Sequence, residues 1–146
     1  GFTGTARSHL GRLIDELKAA HRVIAPDLRG YGASRPPARD FPPDFYERDA
    51  DDMAALLDQI RPGPVVAIGF SDGSESAILL AARCPVLLLN GDGEVNNLES
   101  DFFRLAERLP DARAAIVAGS GHSIQDDQPE ELLVRIRAFL AEVDRQ

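Results

Sequence analysis

The stretch that most constrains the fold is Val65-Val66-Ala67-Ile68-Gly69-Phe70-Ser71-Asp72-Gly73. Its four leading apolar residues read as a buried strand, and "SDGSESAILLAAR" reads as a helix that begins on the serine. A strand can pass into a helix over so short a distance only if the two backbones approach closely. The small residues two before and two after Ser71, Gly69 and Gly73, permit that approach and push the serine hydroxyl forward. A strand–turn–helix unit of this kind belongs to α/β sheets, where parallel strands are joined by helical crossovers.

The rest of the chain repeats the alternation. "SHLGRLIDELKAA" places Leu10, Leu13, Ile14 and Leu17 at helical spacing, with Ser8 positioned to cap it. "RVIAPD" (22–27) reads as a short strand, and the Gly- and Pro-rich residues 28–45 as a loop. "YERDADDMAALLDQI" is a helix with Met53, Leu56, Leu57 and Ile60 on one face, ended by "RPGP". After the serine helix come the strand "PVLLLNGD", the helix "SDFFRLAERLP", the strand "ARAAIVAG" and a final helix with Pro129 in its first turn. The expectation is four strands and five helices in a single domain over residues 1–146, the sheet mostly parallel with helices on both faces.

Composition narrows the function classes. A formal charge of −8, without a Lys/Arg cluster, argues against a nucleic-acid partner. The longest apolar runs are too short to span a bilayer, and the opening residues do not read as a secretory leader. The single cysteine, Cys84, rules out an internal disulfide and suits a reducing, cytoplasmic setting. Beside Pro85 at a strand entrance it reads as a packing residue.

Nucleophilic catalysis by serine needs an exposed hydroxyl, a base and backbone donors for the oxyanion. Ser71 meets the first need, and the N–H of Asp72, at the start of a helix, is the natural donor. Of the three histidines, His9 and His21 read as surface or packing residues. His122 follows "AGSG" on a loop at the carboxyl end of a strand, the end where α/β sheets build their sites, and is the candidate base. The acid that orients it is Glu94 or Asp92, both directly after the strand ending near Leu89. The chain order serine, acid, histidine is that of the α/β-hydrolases. No metal or cofactor is implied.

The motifs "PDLRGYGAS", "GFSDG", "CPVLLLNGDGE" and "GSGHSIQDDQPEEL", in that order, resemble the α/β-hydrolase superfamily and within it the valacyclovir hydrolase-like serine esterases. The resemblance implies ester hydrolysis on a small-molecule substrate. It selects Glu94 as the acid, standing where aspartate is commoner, with Asp92 the runner-up. It assigns a second oxyanion donor to the N–H of Phe2. It also gives the Asp72 carboxylate the α-amino group of an amino-acid ester. Against that family's pattern, the first three strands, the sixth strand and the cap are missing. The expectation is therefore a reduced α/β-hydrolase-like three-layer sandwich with about four strands. Such a core could close ranks, be completed by a second copy in a homodimer, or be a fragment. The alternative function is a truncated domain with weak or no catalysis.

Overall fold

The structure, a computed structural model, describes residues 4–81, 84–96 and 99–145. They fall into two compact units, Gly1–Leu80 and Ala81–Gln146.

The first unit holds α1 (Ala6–Leu17), α2 (Phe45–Ile60) and α3 (Asp72–Leu79). The cap of α1 is Thr5 rather than Ser8. Thr5 accepts from the Ser8 N–H, and the Ser8 hydroxyl accepts from the Thr5 N–H, so two donors that the helix leaves unpaired are satisfied reciprocally. The turn after Asp27 is held by that residue: one carboxylate oxygen accepts from the N–H of Ala6 and the other from the N–H of Ala33. Gly30 and Gly32 have positive φ there (81° and 42°), a region that disfavours side chains. The residues of α2 that are buried are Asp49 and Ala50. Asp49 receives a two-pronged ion pair from Arg39 (2.7 Å for each prong), with side-chain exposures of 0% and 8%. The guanidinium also lies 5.2–5.3 Å from the ring centres of Tyr31, Phe41 and Phe45, so its flat faces are covered by aromatic rings. Arg29 makes a second two-pronged pair, with Asp52.

The second unit contains β1 (Val86–Gly91), α4 (Glu99–Ala106), β2 (Ala112–Val117), α5 (Ile124–Asp127) and α6 (Pro129–Val143). Strands β1 and β2 run parallel, with Val86 opposite Ala112 and Gly91 opposite Val117. Parallel strands need a crossover, and α4 supplies it. Large β1 side chains face small β2 ones, Leu88 opposite Ala114 and Leu89 opposite Ala115. Helix α6 buries Leu133, Ile136 and Phe139, and its Glu142 pairs with Arg113 of β2, whose guanidinium lies over the Phe139 ring.

The expected sheet of about four strands is corrected to two among the described residues. Residues 22–27 and 65–70 carry the composition of strands but form no ladder among the described residues. A strand is a property of a pair: apolar and β-branched residues favour it, but the hydrogen bonds that define it come from a neighbour. Consistent with that, Ile24 and Ile68 are 36% and 40% exposed, whereas Val86 and Leu88 of β1 are buried. Pro26 also removes a donor from the first of the two segments. Among the described residues no helix is long and apolar enough to cross a membrane.

Candidate active site

In the first unit, Ser71 has φ 54° and ψ −126° immediately before α3. A non-glycine residue occupies that region only when its surroundings impose it. The local cause is visible on both sides of the serine. The N–H of Gly73 donates to the Phe70 carbonyl (3.0 Å), and the N–H and hydroxyl of Ser74 both donate to the Ser71 carbonyl (2.7 and 2.5 Å). A Cβ at Gly69 would collide with the Gly73 carbonyl, which is why the first glycine of the motif is needed. As the first residue of α3, Asp72 has an N–H to which helix geometry offers no intrahelical acceptor. Its carboxylate accepts from the Tyr46 hydroxyl at 3.2 Å. Burial, then the negative charge of Asp72, raise the Tyr46 phenol above its ordinary range, so it remains the donor of that bond. Phe2 lies outside the described residues.

In the second unit, the two candidate acids after β1 have different partners. Asp92 turns one oxygen onto the N–H groups of Gly119 (2.9 Å) and Ser120 (3.2 Å). The same two loops are tied again by the Asp92 N–H to the Val117 carbonyl and the Gly93 N–H to the Ser120 carbonyl. Gly91 has to be small here, because a Cβ would strike the Ser120 carbonyl. Glu94 instead reaches His122: its Oε2 lies 2.7 Å from Nδ1. The Glu94 side chain is 4% exposed and the imidazole 44%, so the acid is enclosed while the ring is presented outward. Glu94 Oε1 accepts from both the backbone N–H (2.6 Å) and the side-chain amide (2.8 Å) of Asn96. Burial pushes this carboxyl upward, but the Asn96 N–H and the His122 ring outweigh it, and the net position is below the ordinary carboxyl range.

The histidine loop has its own anchors. The Gly121 N–H donates to Asp127 Oδ2 (2.9 Å), and the Gln128 amide donates to the Gly119 carbonyl (3.1 Å). Asn96, Asp127, Gln128 and Tyr46 were not singled out by the sequence reading. An amide two residues beyond an acid is close enough to grip it, a local pattern that was legible but weak. The Tyr46–Asp72 contact joins positions 26 residues apart and left no local trace.

A carboxylate on Nδ1 directs any proton transfer to Nε2 of the imidazole, the arrangement a serine nucleophile requires of its base.

Residues 1–96 match the alpha/beta hydrolase family. Over 86 residues the chain is 43% identical to the serine hydrolase BPHL of Homo sapiens, a match covering 58% of this chain and 30% of that protein. The chain thus spans less than a third of the length of that relative. Among solved structures, NosK from Streptomyces actuosus superposes with a TM-score of 0.73 at 19% identity, over 97% of this chain and 95% of that one. A thermophilic esterase from Thermogutta terrifontis gives 0.72 at 18% identity, over 98% and 88%. These two likenesses concern the fold, and the sequence match carries the assignment: the chain belongs to the alpha/beta hydrolase family.

Proposed function

We propose that the chain is a serine hydrolase that cleaves carboxylic esters of small molecules, its 146 residues acting as one core domain. Ser71 Oγ attacks the ester carbonyl while His122 takes the serine proton at Nε2, and Glu94 orients the ring and stabilises the imidazolium. The alcohol departs with the proton that His122 returns, leaving an acyl group on Ser71. Water then attacks that acyl group, with His122 again as base, and releases the acid. The N–H groups of Asp72 and Phe2 hold the oxyanion, each such donor being worth about 10²–10³ in rate. The Asp72 carboxylate takes the protonated α-amino group of amino-acid esters through a charge-assisted hydrogen bond.

The observation that carries this reading is the 2.7 Å contact between Glu94 Oε2 and His122 Nδ1. BPHL, described as a serine hydrolase, lends it support. The reading includes a cytoplasmic setting, in keeping with a lone buried cysteine, Cys84, and a homodimer in which a second copy extends the sheet. The second of these draws on the two-stranded sheet, whose strands pair only with one another among the described residues.

A second reading, a hydrolase-like domain with little or no catalysis, is favoured by residues 65–70, which lead into Ser71 without pairing to a strand among the described residues. A fluorophosphonate probe separates the two. Labelling of the parent that disappears in Ser71→Ala and falls in His122→Ala supports the hydrolase. A folded parent that takes no label supports the second reading.

A further inference from the structure

Asp72 is held by a neutral group. Its Oδ1 accepts from the Tyr46 hydroxyl at 3.2 Å, and among the described residues its carboxylate takes part in no ion pair. Of the cations in the same unit, Arg39, whose charge reaches the Tyr46 phenol, grips Asp49 with two prongs, and Arg29 grips Asp52 in the same way. Helix α2 therefore supplies acids to both arginines and a phenol to Asp72. A phenol fixes the direction of a carboxylate without cancelling its charge, whereas a lysine or arginine in its place would neutralise it. Glu75, on the same helix as Asp72, adds to the negative potential at the Tyr46 phenol. The ring of Tyr46 is itself fixed, its centre 3.9 Å from that of Phe45, which meets Phe41 edge-on at 5.5 Å.

We propose that Tyr46 is a specificity-determining positioning residue, which aims the Asp72 carboxylate at the ammonium group of a cationic ester while leaving its charge uncompensated. The inference rests on the reading that Asp72 receives that ammonium. Tyr46 touches the acid and not the reacting carbonyl, so its effect belongs in selectivity and in KM rather than in the chemical step.

The test compares an α-amino-acid ester with its N-acetylated counterpart, using the parent chain, Tyr46→Phe and Asp72→Asn. Phenylalanine keeps the ring and its packing and deletes only the hydroxyl. The expected result in Tyr46→Phe is a loss of about three- to tenfold in the preference for the free amine, the size of one hydrogen bond. It is carried by a higher KM for that ester, with a smaller loss in kcat/KM for the acetylated ester. An unchanged preference in Tyr46→Phe, beside a collapsed one in Asp72→Asn, overturns the role of Tyr46 and leaves that of Asp72 standing. A preference that survives in Asp72→Asn overturns the ammonium reading itself, and Tyr46 falls with it. An equal loss on both esters marks Tyr46 as merely structural and overturns the proposal. A parent that cleaves neither ester overturns the hydrolase on which both rest.

Discussion

Glu94 Oε2 lies 2.7 Å from His122 Nδ1, and the acid is almost fully enclosed while the ring it holds is not. The carboxyl lies below its ordinary range in the folded chain: burial raises it, but the Asn96 N–H and the His122 ring lower it further. A depressed folded value means that the ionised form stabilises the fold. That contribution is complete above the unfolded glutamate value of about 4.3 and is lost as pH falls through the lower, folded value. Glu94→Gln should therefore melt below the parent at neutral pH, and the difference should close as pH falls below the ordinary glutamate value and through the lower, folded one. Thermal unfolding of both proteins across that range checks the sign. On an ester substrate the same variant should lose roughly a thousandfold or more in kcat, as expected when the partner of a catalytic histidine is neutralised.

Asp92 should behave differently from Glu94. Its removal in Asp92→Ala strands the N–H groups of Gly119 and Ser120, the latter in a buried residue. The expected cost is about 1–3 kcal/mol in unfolding free energy, read from the midpoint of a urea transition. Any loss of activity should accompany that loosening.

The Arg39–Asp49 pair carries the largest stability prediction. Asp49→Ala leaves a guanidinium among aromatic rings without its counter-charge and should cost about 3–5 kcal/mol. Replacing both residues by apolar ones of similar volume should recover most of that loss, because neither charge then remains buried alone. Urea unfolding of the single and double variants decides the point.

Ser71→Gly should stabilise the first unit while abolishing probe labelling. At φ 54° glycine removes the penalty a side chain bears, about 1 kcal/mol or more. A higher melting temperature in an unlabelled protein is the expected outcome. A lower one would show that the serine conformation is not a strained one. Gly69→Ala should have the opposite effect on stability, because the added methyl meets the Gly73 carbonyl.

Local patterns were legible wherever the physics is local. The spacing of Leu13 and Leu17, the Pro129 start of α6 and the apolar runs of β1 and β2 all correspond to elements within a few residues. Residues 22–27 and 65–70 misled because their composition describes half of a strand pair and cannot specify the other half. Asp92 and Glu94 were indistinguishable by position, since both follow the same strand. What separates them is reach: Glu94 extends to the imidazole, while Asp92 is taken up by backbone donors 27 and 28 residues away. Arg39 lay in a segment read as loop, and nothing in its immediate sequence announces a partner on α2.

The bonds that tie the loop after β1 to the loop after β2 have a consequence for how this part of the chain comes apart. Asp92, Gly93, Val117, Gly119 and Ser120 form one clasp, and both members of the His122–Glu94 pair hang from it. Opening either loop severs these clasp bonds, to which the histidine loop adds its own anchors at Asp127 and Gln128. The histidine and its carboxylate are thus one cooperative unit: a fluctuation that releases the first releases the second, and competence of the pair is all-or-none rather than graded.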